Sequence, residues 1–326
     1  MKASVIIPNW NGKVFLKRCL SSLTTQTLKD FEVVVVDNGS IDGSIEYIRK
    51  FFTKVKVIPL DKNYGFARAV NVGIKSSRAE YIVLINNDTE VDKDCLKFLV
   101  NRARKHSEVG FVAAKMLNFY RREYIDSAGD YIDEHGHADN IGYGEKDGVF
   151  FSSAKPVFLA TGGGSLFKRE VFEKIGYFDE DYFMYFEDVD LCLRAQLSGF
   201  KGYFEPKAKI YHIHKGSARR VSSLVEYLQF RNMTVTVLKD FPKSLFLTRL
   251  IWLRIFWVNI NTIRFMAGQG YLKEALKAEV YVLSHLFSIL QKRRLVQSGR
   301  TASDEYIIQN IRRRKLTFFG LFGNGI

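Results

Sequence analysis

Four short runs rich in Val and Ile constrain this chain more than anything else in it. They lie at residues 3–8 (ASVIIP), 31–37 (FEVVVVD), 55–59 (VKVIP) and 81–86 (YIVLIN). The stretches between and after them, 14–25, 43–52, 66–76 and 93–106, suit helices. Short apolar runs alternating with helical segments predict buried parallel strands in βαβ units, a doubly wound α/β pattern. Such sheets bind ligands beyond the carboxyl ends of their strands. Each run closes on a polar candidate: Asn9 and Asn11, Asp37, Asn63, then Asn86-Asn87-Asp88. One polar residue at a strand end means little. Four in succession point at one crevice.

Downstream the pattern loosens. Residues 119–155 are rich in Gly and Asp and weakly periodic, which predicts hairpins or a mobile loop over the crevice. Gly162-Gly163-Gly164 precedes a helix expected over 168–176, and 200–212 reads as two short strands. From about Lys215 three helices are expected, over 222–239, 243–266 and 271–296. The last carries Leu272, Leu276, Val280, Leu283, Phe287 and Leu290 at helical spacing. Residues 251–265 (IWLRIFWVNINTIRF) are the most apolar piece, yet Arg249, Arg254 and Arg264 interrupt it. No uncharged run reaches the ~18–20 residues that a span requires. Two readings stand for this piece: a helix in a membrane interface, or a helix packed on the domain with Arg tips in water. The ending RRRKLTFFGLFGNGI reads equally as a second surface anchor or a disordered tail.

Charge is unevenly spread. Residues 1–200 hold 27 Lys+Arg against 28 Asp+Glu, whereas residues 201–326 hold 22 against 7, so the whole +14 excess sits in the last part. A neutral body with a basic end implies a polyanionic partner, either nucleic acid or an anionic membrane face. The aromatics of the basic part fall within apolar helical stripes and form no stacking platform, which disfavours nucleic acid. Helices beyond the body also offer a surface for homo-oligomer pairing. Cys19, Cys95 and Cys192 are scattered, which argues against a disulfide framework or a cysteine zinc site and favours a reducing compartment. The opening MKASVIIPNWNG reads as a first strand, since its apolar run stops at Pro8. There is no P-loop and no G-x-G-x-x-G after the first strand. The Asn86-Asn87-Asp88 turn is the remaining phosphate device, because a carboxylate at a strand end suits Mg2+ or Mn2+ shared with phosphates.

The segment 183–193 (FMYFEDVDLCL) sets Glu187, Asp188 and Asp190 among large apolar side chains. Acids at a helix start complement its dipole, and carboxylates beside apolar surface are also where general bases are built. On a helix, Asp190 and Arg194 are four apart and can pair.

In order along the chain occur SVIIPNWNG, VVVVDNGSIDGS, NYGFARAVNVGI, YIVLINNDTEVD, TGGGSLFKREVFEKIGYFDEDYFMYFEDVDLCLRAQLSGF and YHIHKGS. Together they resemble a GT-A-fold, family 2 inverting glycosyltransferase, most closely the rhamnosyltransferase-like and galactofuranosyltransferase-like members. The resemblance covers roughly 1–217, a catalytic domain, with a weaker echo at 227–232 (YLQFRN) in the helical extension 218–326. It implies a nucleotide-diphospho-sugar transferase fold, Rossmann-like, with a mixed sheet flanked by helices.

Carried over residue by residue, the resemblance implies that Asp37 bonds a pyrimidine base. Pro8, Asn9 and Asn11 line the base and ribose pocket, and Asn63, Gly65 and Arg68 frame the nucleotide and its phosphates. Asn86, Asn87 and Asp88 stand at the family's D-x-D position, so Asp88 binds the metal. Asn86 departs from the commoner Asp and removes one anionic ligand. His212 matches a third metal contact, with His214 as its rival. Asp188 becomes the general base, Glu187 and Asp190 orient the acceptor or the helix start, and Gly162 and Gly163 keep space for the acceptor. The function implied is transfer of a sugar, with L-rhamnose from a dTDP donor one option and a UDP-sugar another. The acceptor is a glycan or lipid-linked saccharide in cell-surface polysaccharide synthesis. The setting implied is cytoplasmic, peripheral at the inner membrane face. A rival class is an inactive sugar-nucleotide-fold binding module with a polyanion-binding basic tail.

Overall fold

A computed structural model describes residues 2–213, 222–248 and 251–313. His214 and the ending 314–326 lie outside the described residues. The sheet is built around β1 (Ala3–Asn9), β2 (Phe31–Asn38), β3 (Lys56–Leu60) and β4 (Tyr81–Ile85), all parallel. Between them run α1 (Lys13–Thr24), α2 (Ser44–Phe51) and α3 (Phe66–Lys75). Alternate residues of β1 feed opposite cores: Ile6 meets Val34, Val36 and Val70, whereas Val5 and Ile7 meet Leu16, Leu20 and Val35. Burial on both faces explains why these strands are continuous apolar runs.

The rest of the sheet is mixed. After β5 (Thr89–Val91) and α4 (Cys95–Lys105) come β6 (Val109–Asn118), β7 (Ile125–Ser127), β8 (Asp130–Ile132), β9 (Ala138–Asn140), β10 (Lys155–Val157) and β11 (Gly164–Lys168). Then follow α5 (Arg169–Ile175), α6 (Glu187–Leu197) and β12 (Lys201–His212). The main sheet order is β10-β12-β6-β11-β4-β1-β2-β3, with β11 antiparallel to both β4 and β6. Residues 119–155 are built into the body: β8 and β9 pair as a hairpin, and Ile125, Ala128, Ile132 and Phe151 are buried. The hairpin expectation fits, and the mobile-loop one does not. Residues 200–212 form one strand where two were expected. The interruption is a register shift between Glu205 and Lys209, around Pro206, which has no N–H to give a ladder.

The C-terminal helices are α7 (Ser222–Asp240), α8 (Lys243–Thr248), α9 (Ile251–Gly268), α10 (Leu272–Ser284), α11 (Leu286–Ser298) and α12 (Asp304–Asn310). The described residues of the expected helix 243–266 lie in α8 and α9, with 249–250 outside the described residues. The expected helix 271–296 is divided: it breaks at His285, whose φ is −106° and ψ 9°. There the imidazole Nδ1 lies 2.9 Å from Tyr281 O, the carbonyl that His285 N–H also bonds, and its ring stacks on Tyr281 at 4.0 Å. A side chain competing for a backbone carbonyl disturbs a helix in this way.

The helices are wired to the body through buried charge. Lys239 of α7 is 1% exposed and pairs with Asp179 at 2.8 Å and with Asp190. Asp190 also accepts from Arg194 Nε at 3.0 Å and Nη2 at 2.8 Å, the pairing expected from their spacing. Lys292 of α11 reaches Asp179 and Asp181, each at 2.6 Å. Burial would raise the Asp179 pKa, but Lys239 and Lys292 override it and hold the carboxyl well below the usual range.

Removing Lys239 leaves buried carboxylates uncompensated, so Lys239→Met is expected to lose about 3–5 kcal/mol in urea unfolding at neutral pH. A depressed carboxyl pKa contributes stability above its unfolded pKa and loses it as pH falls towards the folded value. The wild type should therefore destabilise progressively below about pH 4, and this slope should be shallower in Lys239→Met.

Candidate active site

The strand ends form one hydrogen-bonded rim. Asn9 donates to Asp37 Oδ2 at 2.8 Å and to Ser40 Oγ at 3.3 Å, and its Oδ1 accepts from Asn87 Nδ2 at 2.7 Å. Asn11, at φ 49°, donates its N–H to Ser40 Oγ and accepts from Ile41 N. Pro8 precedes them in β1, half-buried. Asp37 is 0% exposed, and its second oxygen accepts from Ser40 N at 2.9 Å. Here it braces the rim through one bond to each oxygen. Asn63 Oδ1 accepts from Asn38 Nδ2 and Gly65 N, both at 2.9 Å. Asn38, absent from the sequence reading, also receives Tyr64 N, and the signal for it was its place directly after Asp37. Arg68 is half exposed and sits 4.1 Å over the Tyr64 ring. Gly65 serves a contact other than the one expected. At φ 85°, a Cβ there would stand 2.3 Å from Phe183 O, so its bare backbone admits the segment before α6.

The turn after β4 meets the end of β12. Asp88 Oδ1 lies 3.3 Å from His212 Nε2, and His212 Nδ1 lies 2.7 Å from Asp126 Oδ2. Burial alone would lower the His212 pKa, but hydrogen bonds and charge from Asp126 and Asp88 outweigh it and hold it at about 10. One carboxylate oxygen and one imidazole nitrogen, with a carboxylate behind the ring, fit a divalent cation shared with phosphate oxygens. Among the described residues no group of three His, Cys, Asp or Glu side chains converges as a complete metal site. The protein would supply two donors and the substrate or water the rest.

The base candidate approaches from the other side. Asp188, near the start of α6, accepts from Gly162 N at 2.7 Å and from Val189 N at 2.8 Å. Burial pushes its carboxyl pKa up, and these N–H groups restrain the rise. Burial and the Asp188 charge drive Glu187 further up, and among the described residues its Oε2 has no partner. Asp130, on β8, is likewise raised by burial and then by Asp188. The environments separate these acids: Asp188 has donors that support its ionised form, whereas its neighbours are driven towards the neutral form. Asp190 is 0% exposed inside its ion pairs, so it cannot meet an acceptor. Its expected contact with acceptor gives way to fixing α6.

Two glycines join the halves. Gly163 O accepts from Asn86 N at 3.2 Å, while Gly162 N holds Asp188. A Cβ on Gly163 would lie 2.4 Å from Asn86 Nδ2. Asp126 and Asp130 were both missed, because each lies in the Gly- and Asp-rich region and meets its partner only in three dimensions. Their signal was two carboxylates in YIDSAGDYI.

Residues 4–176 match the family model described as glycosyl transferase family 2. The chain belongs to glycosyl transferase family 2. It is 28% identical over 249 residues to a low-salt glycan biosynthesis hexosyltransferase of Haloferax volcanii, covering 74% of this chain and 77% of the relative. It is 26% identical over 236 residues to an N-acetylglucosaminyl-diphospho-decaprenol L-rhamnosyltransferase of Mycobacterium tuberculosis, covering 65% and 75%. Against three other curated relatives the chain spans only 25% to 48% of their length. A mannosyltransferase from Pyrobaculum calidifontis, solved in complex with GDP-Man and Mn2+, superimposes with a TM-score of 0.55 at 16% identity over 94% of this chain and 85% of that one. The fold is the GT-A fold.

In this family-2 chain the helical extension also shapes the site. Phe183, Tyr185 and Phe186 have φ of 64°, 66° and 68°, conformations that bulky residues adopt only when their surroundings enforce them. α7 supplies that enforcement. Asn232 Nδ2 lies within 3.0 Å of the Tyr182, Met184 and Tyr185 carbonyls, and Arg231 Nη2 bonds Asp181 O and Tyr182 O. The loop so held delivers Glu187 and Asp188. Asn232→Ala is expected to lower turnover by about 10²-fold through misplacement, with nucleotide affinity within about twofold of wild type. Steady-state kinetics together with calorimetric titration of the nucleoside diphosphate would measure both.

Proposed function

We propose that this chain is a metal-dependent inverting glycosyltransferase. It moves a sugar from a nucleoside diphosphate to a hydroxyl of a glycan or lipid-linked acceptor in cell-surface polysaccharide synthesis. The observation that supports this reading is the two-glycine bridge, which ties the turn carrying Asp88 to the Asp188 carboxylate. The Mycobacterium relative makes dTDP-L-rhamnose the first donor to test, with UDP-sugars next. Cys19, Cys95 and Cys192 are all unpaired and buried, which supports a cytoplasmic setting.

The chemistry follows from the side chains. Asp188 takes the proton of the acceptor hydroxyl while that oxygen attacks the anomeric carbon. The bond from that carbon to the diphosphate oxygen breaks, and its electron pair leaves with the diphosphate. Attack opposite the leaving group inverts the anomeric centre. Asp88 and His212 would hold Mg2+ or Mn2+, which when bound neutralises the departing diphosphate. Asp126 keeps the His212 ring turned so that Nε2 faces Asp88. No protonated acid is needed for such a leaving group, unlike glycoside hydrolysis. The Gly162 N–H restrains the rise of the Asp188 pKa and aims its carboxylate, and Glu187 lies buried beside it.

Asp188→Asn is expected to abolish transfer from a nucleotide sugar while nucleoside diphosphate affinity stays within about twofold. Wild-type turnover in that variant would remove Asp188 from the base role. Asp88→Ala is expected to remove the Mn2+-dependent part of nucleotide binding, and Asp126→Asn to weaken Mn2+ by about 10–100-fold. Electron paramagnetic resonance titration of free Mn2+ reads both without any turnover. Unchanged Mn2+ affinity in Asp88→Ala would defeat the site, and an inactive binding module would show binding with no product from any donor.

A further inference from the structure

The apolar residues that repeat along 271–296 do not form the packed side of their helices. α10 and α11 pack on α7, α9 and Tyr182 through Ala275, Ala278, Val282 and Ile289, all buried. Leu272, Leu276, Val280, Leu283, Phe287 and Leu290 are between 44% and 75% exposed. Leu272, Leu276, Val280 and Leu283 share one face of α10, and Phe287 and Leu290 are exposed on α11 just past the break at His285, so exposed apolar residues run along both helices. Single exposed leucines are ordinary on a protein surface, but a continuous stripe marks a place of contact. Leu272, Leu276 and Val280 line an open groove of about 1110 Å³, facing Leu224 and Tyr227 of α7, with Lys273, Glu274 and Lys277 of α10 also in its lining.

Charge selects the occupant. Residues 201–326 hold 22 Lys+Arg against 7 Asp+Glu, and the groove itself is bordered by Lys273 and Lys277 against the one acid Glu274. A second copy would bring two surfaces of the same sign together, whereas anionic headgroups would meet the opposite sign. An apolar helix face edged with lysine is the pattern of a helix lying in the plane of a bilayer surface. Among the described residues no helix is long and apolar enough to cross a membrane. We propose that the α10–α11 stripe docks this protein on an anionic lipid surface, with the leucines and Phe287 entering the headgroup region. The surface differs from the one expected at 251–265, and it is independent of the transferase reading.

The test is flotation of the full chain with vesicles of phosphatidylcholine alone and of phosphatidylcholine with phosphatidylglycerol, without any nucleotide sugar. Wild-type protein should float with the anionic vesicles only, and raised salt should weaken that binding. The double variant Leu283→Gln with Phe287→Gln, at exposed positions, should melt like the wild type and partition roughly tenfold more weakly or worse. No flotation of the wild type, or equal flotation with both vesicle types, overturns the proposal. So does a wild-type dimer in equilibrium sedimentation that the double variant converts to monomer, since the stripe would then be a contact between copies. Retention of RNA on a filter by the wild type and its loss in the double variant would overturn it as well. If the double variant melts early, the salt and lipid dependence of the wild type still decides.

Discussion

The backbone of Gly162 and Gly163 is the narrow joint on which the site depends. On one side it accepts the Asn86 N–H and so fixes the turn that carries Asp88. On the other it donates to Asp188 and so fixes that carboxylate. Side chains there would strike Asn86 on one residue, and on the other press within 3.2 Å of the Phe66 ring and 3.4 Å of the Asp188 Cβ. The joint exists because β11 enters the sheet antiparallel between β4 and β6, placing its leading turn at the carboxyl end of β4. Sheet topology, not loop chemistry, thereby links the turn at Asp88 to a carboxylate a hundred positions later.

A second layer of constraint comes from outside the region that the family model matches. The loop before α6 holds three aromatic residues in left-handed conformations, and Arg231 and Asn232 occupy its carbonyls. Lys239 and Lys292 then pin the adjoining turn at Asp179. Strain in this loop persists because α7 and α11 over-determine it. The C-terminal helices are thus part of how Asp188 is positioned, and their opposite side remains available for the lipid contact inferred above.

Much of this was legible in the sequence where burial writes a local signal. β1, β2 and β4 are covered on both faces, so their apolar runs are continuous and their ends easily read. The Asp190–Arg194 pair follows from helical spacing alone. Other features are not local. Asp126 meets His212 86 positions later, so no window of sequence contains the pair. Periodicity predicted a helix through 271–296 but carried no information on which side would be covered, and the side with alanines proved to be the packed one. His285 breaks that helix without a Pro or Gly to announce it. Asp37 shows the same limit: its strand-end position marked the crevice, whereas its enclosure by Asn9 and Ser40 is a three-dimensional fact.

The central claim is that cation and base face the same sugar. Anomalous diffraction from crystals soaked with Mn2+ and a pyrimidine nucleoside diphosphate tests it most directly. The account predicts a single Mn2+ peak bonded to Asp88 and His212, with the diphosphate beside it and the Asp188 carboxylate across a gap that one sugar ring fills. A metal peak on any other wall, or a diphosphate directed away from Asp188, would contradict it.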